Sequence, residues 1–313
     1  MLKNTKQEIK SLQSHELDHI IQMLENDKSF PERTISLISQ KIDDAVNQIQ
    51  DIFNIVKQSD TIPLNEIKEN ILPIIKVASA TPHFFHLFFK LQSSDEYTYR
   101  HNIGVGIIAT LIGKWLSLPE KLLAKLTIAA ILHDIGKVKI PLEILNKPGK
   151  LTKVEYEIVK QHTILGYEIL KKSEGVSEDI SLVALQHHER EDGKGYPYGI
   201  QGNEISYLAK IVAIADVFHA MSSNRVYHDA TPFYIVIRQM NDDVFGKFDP
   251  TILVPFISKI MNSLIGNKVL LTDGSYGVIK MVNPYDLTNP LVQINNKIID
   301  LSIEKSIQIE RII

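Results

Sequence analysis

The stretch His187-His188-Glu189-Arg190-Glu191-Asp192-Gly193-Lys194-Gly195-Tyr196-Pro197 sets two adjacent imidazoles, three carboxylates and a Gly-Tyr-Pro turn within eleven residues. Imidazole beside carboxylate points first to metal chemistry. A His-His pair alone carries little weight in a chain with 11 histidines, because imidazole is also an ordinary core or surface group. Weight comes from its companions: His133-Asp134 in HDIGK, His162 in HTILG, His101 in YTYRHN and Asp216 in AIADVF. Nitrogen and oxygen donors together suit Fe, Mn, Co, Ni or Zn, whereas an all-oxygen set would suggest Mg or Ca. The chain has no cysteine, which excludes thiolate ligands and disulfides and fits a reducing compartment.

Working outward, the segments carrying these residues read as helices. Ser177 before Glu178 and Asp179 marks a helix start, which puts His187 and His188 near that helix's end. Thr152 and Glu155 have capping-box spacing and place His162 about three turns into the helix they open. Thr231-Pro232 opens another, with proline in the first helical position. Ligands would then project inward from several helices of a bundle. Towards the N-terminus, Ile35, Ile38, Ile42, Val46, Ile49, Phe53 and Val56 recur in steps of three or four, an amphipathic helix. Two uses of its apolar stripe stay open: packing on its own domain, or a coiled-coil seam for a homodimer. Ser59, Asp60, Thr61 and Pro63 break the pattern before a second helical stretch over 64–78, with Pro73 at a kink or boundary. Beyond Gly266 the texture changes to about five short apolar runs, two of them flanking Asp273-Gly274-Ser275, and predicts a small SH3-like barrel or curled antiparallel sheet.

Composition bounds the partners. With 34 basic and 37 acidic residues in 313, the net charge is only -3, so no global field draws the chain to a nucleic-acid polymer or an anionic membrane. Any affinity for phosphate must be local. The N-terminal residues show no apolar signal core, and the longest apolar stretch, 104–113, stops at Lys114, short of the about 20 residues a span requires. The expectation is a cytoplasmic protein without membrane insertion.

Taken in order, HDIGK, HTILG, HHEREDGKGYP and ADVFHAMSSNR resemble the HD-GYP family of metal-dependent phosphohydrolases over roughly residues 95–260. The resemblance implies a mainly α fold: an HD-type bundle over 93–264, preceded by an N-terminal helical region (1–92) and followed by the small β domain (265–313). It further implies two divalent transition-metal ions, iron or manganese, with His101, His133, Asp134 and Asp216 on one and Asp134, His162, His187 and His188 on the other. Cyclic di-GMP would be the substrate, hydrolysed by a two-metal-activated hydroxide to pGpG and/or GMP. Lys137, one helical turn after His133, is read as a phosphate contact or a proton donor to the leaving oxygen, and Arg225 as a phosphate-binding fork. Asp192, Gly193, Gly195, Tyr196 and Pro197 form the loop that names the family and would shape the substrate side.

Several positions depart from the family pattern. Tyr97 stands where members with a third metal carry glutamate, with Glu96 one step off, so two metals are implied. Thr163 replaces a common proline after His162. His219 replaces a common aspartate and His228 a frequent basic residue, and both bear on substrate contacts. Two other functions stay open: a non-catalytic cyclic-dinucleotide receptor, and a phosphohydrolase of another nucleotide.

Overall fold

The computed structural model describes residues 32–80, 97–223 and 233–313. Helix α1 (Glu32–Ser59) carries the predicted stripe. Ile38, Ile42, Ile49 and Val56 are fully buried, packed within the chain against the elements that follow. That stripe is therefore covered by its own chain, and the coiled-coil seam is not how it is used here. After the break at 60–63, Leu64–Glu66 runs into a π-helical turn, Ile67–Ile71, and then into α2 (Leu72–Ala78). Pro73 sits in the first turn of α2. Its ring and missing N–H interrupt the regular ladder at that point, and the widened turn lies immediately before it.

Helices α3 (Tyr97–Trp115) and α4 (Glu120–Leu132) form the centre of the bundle. Inside their contact, the hydroxyls of Thr110 and Thr127 lie 2.7 Å apart and the Asn102 side-chain N–H donates to the Ile131 carbonyl at 3.0 Å, which partners these buried groups. Arg100 of α3 meets Asp43 of α1 at 2.6 Å, tying the N-terminal helix to the element that bears His101.

Thr152 caps α5 (Lys153–Lys160) with a full capping box: its hydroxyl accepts the Glu155 N–H, and Glu155 accepts the Thr152 N–H at 2.7 Å. The expected continuous helix nevertheless ends at Gln161, and His162 opens α6 (His162–Lys172) instead of sitting three turns in. His162 Nδ1 and the Thr163 hydroxyl donate to the Val159 and Lys160 carbonyls, taking acceptors at the end of α5. Ser177 does precede α7 (Glu178–Gln186), without a side-chain capping bond. The bundle is completed by α8 (Tyr207–Ser222), α9 (Phe233–Asp242) and α10 (Pro250–Ser263). Thr231-Pro232 lies outside the described residues.

Five strands follow: β1 (Lys268–Leu271), β2 (Tyr276–Asn283), β3 (Asp286–Ile294), β4 (Lys297–Asp300) and β5 (Ile309–Ile312), all paired antiparallel in the order β4-β3-β2-β1-β5. Among the described residues the pairing stops at β4 and β5, so the sheet is open and not a closed barrel. Gly274 makes the β1–β2 turn at φ +82°, a conformation that favours glycine. Val269, Leu271, Ile279 and Val292 join the same apolar core as the helices, and the Tyr234 hydroxyl donates to the Thr288 carbonyl across the contact. No helix of the described residues is long and apolar enough to cross a membrane.

Candidate metal centre

The HDIGK turn is where the centre is built. Helix α4 stops at Leu132, His133 caps it, and a tight 3-10 turn, Ile135–Lys139, follows Asp134. A Cβ on Gly136 would lie 2.0 Å from the His162 carbonyl oxygen and 2.5 Å from the Gly166 nitrogen, so the turn rests main chain to main chain on α6. Only glycine allows that approach. Asp134 is thereby brought to His162, with Oδ1 3.3 Å from Nε2.

From the other side α7 delivers His187 as its C-cap, with His188 next in the chain, while α3 contributes His101 and α8 contributes Asp216. Two compact sets of donor atoms result: Asp134, His162, His187 and His188 in one, His101, His133 and Asp134 in the other. Within each set the atoms lie within 4.8 Å of one another, and Asp134 belongs to both. Asp216 flanks the second set, its Oδ1 3.1 Å from His101 Nε2.

Orientation of the rings follows from what Nδ1 touches. His133 Nδ1 donates to the Ala130 carbonyl at 2.7 Å and His162 Nδ1 to the Val159 carbonyl at 2.6 Å, while His187 Nδ1 shares the Val183 and Ala184 carbonyls. A carbonyl only accepts, so Nδ1 carries the proton and each Nε2 offers a lone pair to the interior. Nε2 atoms of His162 and His187 face each other at 3.4 Å, an arrangement that a cation between them stabilises. His133 Nε2 and Asp134 Oδ1 are buried and make no hydrogen bond among the described residues. Orphaned buried acceptors of this kind are costly unless something binds them, and this set of imidazoles around carboxylates fits first-row transition-metal ions.

The electrostatics maintain that state. Burial lowers the pKa of His101 and His187, takes His162 down to about 4 and His188 to about 3, and so keeps these rings neutral at neutral pH. His133 differs. Burial pulls it down, but the Asp134 and Asp216 charges and the Ala130 carbonyl more than offset this and raise it. Burial also works against an ionised Asp134, yet Lys137 and His133 hold its carboxyl well below the usual range, and His101 does the same for Asp216.

His101, Asp134, His162, His188 and Asp216 line an open cavity of about 400 Å³. Lys137 stands at its edge with Nζ 2.5 Å from Asp134 Oδ2, and Val159, Val217, Ala220 and Met221 supply an apolar wall. Arg190 also lines it, a residue that sequence reasoning passed over although it lies inside the opening motif. Its Nη1 is buried and makes no hydrogen bond among the described residues, and its guanidinium carbon lies 5.3 Å from the Phe248 ring centroid.

Of the loop residues, Tyr196 reaches the cavity, its ring stacked on His188 at 4.6 Å between centroids. The others shape the loop. A Cβ on Gly195 would lie 2.4 Å from Glu189 Cα, Gly193 turns at φ +71°, and Asp192 accepts the Lys194 N–H and donates its own N–H to the Gly246 carbonyl. Pro197 follows Tyr196 through a cis peptide bond. Glu189, also missed in the sequence, is buried behind them, and its Oε1 accepts the N–H groups of Tyr198 and Gly199. His219 lies buried behind His101 and away from the cavity lining, so its departure from the family pattern bears on a ligand before any substrate contact. Arg225, His228 and Glu96 lie outside the described residues.

Comparison with known proteins agrees with this geometry. The family model for the HD domain matches residues 86–252, the stretch that holds every residue of both donor sets. A cyclic di-GMP phosphodiesterase of Pseudomonas aeruginosa is 38% identical over 205 residues, 66% of this chain and 49% of that protein. Another cyclic di-GMP phosphodiesterase, from Thermotoga maritima, is 41% identical over 165 residues, 52% of this chain and 45% of that one. The chain thus spans about half the length of these relatives. A solved structure of an HDG"Y"P protein from Bdellovibrio bacteriovorus shares the fold with a TM-score of 0.53 at 18% identity, covering 78% of each chain. With a match over more than half its length and a buried His/Asp cluster that fits metal binding, the chain belongs to the HD domain family.

Proposed function

We propose that this chain is a cyclic di-GMP phosphodiesterase that hydrolyses the dinucleotide to pGpG and/or GMP with two bound transition-metal ions, iron or manganese. One observation carries the reading: Asp134 belongs to two donor sets, and it lines one cavity together with His101 of one set and His162 and His188 of the other. His101, His133, Asp134 and Asp216 would hold one ion, and Asp134, His162, His187 and His188 the other. Such a pair supplies an activated water and relief of charge on the phosphoryl oxygens. The names of both phosphodiesterase relatives support the substrate.

The chain's own groups do the rest. Lys137 presents a cation beside the shared carboxylate, where it can neutralise a phosphate oxygen or protonate the leaving oxygen. Arg190 lines the cavity with its Nη1 making no hydrogen bond among the described residues, and a guanidinium there suits phosphate; Arg225 is given the same role. Tyr196 keeps His188 in its plane and borders the substrate. Asp192, Gly193, Gly195 and Pro197 act by shaping that loop. The catalytic unit spans 93–264, between an N-terminal helical region (1–92) and a C-terminal β unit (265–313), in a cytoplasmic protein.

The test is metal analysis of the purified chain, followed by hydrolysis of cyclic di-GMP, cyclic GMP-AMP and nucleoside phosphates with Mn or with Fe under anaerobic reduction. Metal-dependent turnover of cyclic di-GMP is expected. Tight binding of cyclic di-GMP without turnover under any metal would make the chain a receptor, and turnover confined to another nucleotide would reassign the substrate.

A further inference from the structure

Of the five candidate histidine ligands, His133, His162 and His187 meet main-chain carbonyls through Nδ1 and His188 stacks on the Tyr196 ring. His101 meets two side chains. Its Nε2 lies 3.1 Å from Asp216 Oδ1 and its Nδ1 lies 3.0 Å from Nδ1 of His219. His101 has two neutral tautomers, and they have opposite consequences. With the proton on Nε2 it donates to Asp216 and cannot ligate; with the proton on Nδ1 it needs an acceptor there, and Nε2 becomes a ligand.

His219 meets that need. It is 3% exposed, three residues after Asp216 on α8, and the Ser223 hydroxyl lies 3.3 Å from the same Nδ1. The imidazole fits because α3 has glycine one turn after His101. A Cβ on Gly104 would lie 2.1 Å from His219 Nε2 and 2.3 Å from its Cδ2. Gly104 and His219 therefore form a seat and its occupant, on the two helices that supply His101 and Asp216.

We infer that His219 is a positioning residue whose Nδ1 accepts the Nδ1–H of His101, fixing His101 as a ligand and setting the metal affinity of the set formed by His101, His133 and Asp134. Partners of this outer kind typically change metal affinity by about 10–100-fold when removed. A neutral imidazole is a weaker acceptor than a carboxylate, so aspartate at 219 would serve at least as well. The inference rests on the two-metal reading of the site, but its readout is metal binding and needs no substrate.

The experiment is a competition titration of metal-free protein with Mn and Co, resolving two affinities, on wild type, His219→Phe, His219→Asp and Gly104→Ala. Phenylalanine keeps the ring and removes the acceptor; the thermal unfolding of each metal-free variant reports the fold separately. The expected result is that His219→Phe weakens one of the two affinities about 10–100-fold and leaves the other unchanged. His219→Asp should restore it, and Gly104→Ala should reproduce the loss with every polar group still present. Unchanged affinities in His219→Phe, or an aspartate variant no better than the phenylalanine one, would overturn the inference while leaving two metals in place. A wild type that binds no metal would instead overturn the site reading beneath it.

Discussion

His133, His162 and His187 are held through Nδ1 by carbonyls of the preceding helical turn, whereas His101 and His188 rest on the side chains of His219 and Tyr196. The first kind of support is built into the helix. A main-chain acceptor survives any substitution at Ala130, Val159 or Ala184, because the carbonyl does not depend on the side chain. The second kind depends on a residue elsewhere in the chain, and a single substitution can strengthen or remove it. Each donor set contains both kinds, so each has a fixed frame and one adjustable member.

Substitutions at four positions probe that contrast. Asp134→Ala removes the one residue common to both sets; metal content measured by elemental analysis should fall to background and cyclic di-GMP hydrolysis with it, and retained metal would break the idea of a shared carboxylate. Gly136→Ala attacks the fixed frame. Its Cβ meets main chain of α6 that cannot move aside, and urea unfolding of the metal-free protein should show a loss of about 1–3 kcal/mol, with His162 displaced from Asp134. Tyr196→Leu addresses the adjustable member of the four-residue set and should weaken one metal about tenfold, while Tyr196→Phe, which keeps the stack, should bind as wild type does. Thr152→Ala tests whether support of α5 matters to the ligands at all; it should cost about 1 kcal/mol of stability and leave metal affinity unchanged. Glu155 of the same capping box titrates at about 2, chiefly because Lys147 and Thr152 hydrogen-bond to its charged form. Its contribution is thus complete above pH 4.5 and is lost as the pH falls towards 2.

Much of this architecture was legible where the signal is local. The capping box at Thr152, the stripe on α1, the break at 59–63 and the strand runs after Gly266 all depend on residues within a few positions of each other, and each corresponds to an element of the structure. The ordered motifs likewise bring His133, Asp134, His162, His187 and His188 together in the two donor sets. What stayed hidden depends on contacts between distant segments. Gly104 reads as an ordinary helical glycine until His219 is seen against it, and Glu189 reads as one more surface carboxylate until the main chain of 198–199 folds over it. The end of α5 at Gln161 carries no glycine or proline to announce it; the acceptors that end it are claimed by His162 and Thr163.

The single apolar core that runs from α1 through the bundle to the sheet sets a limit on how the protein can be cut. The HD domain match begins at residue 86, but α3, the helix that holds His101, packs against α1 and α2 on its outer side. A fragment trimmed to the family boundary would expose the face that Ile42, Ile49 and Ile75 now cover, and in expression such a fragment should be recovered as aggregate. A fragment designed to keep the metal-binding residues in a folded bundle should therefore begin before α1 and not at the family boundary.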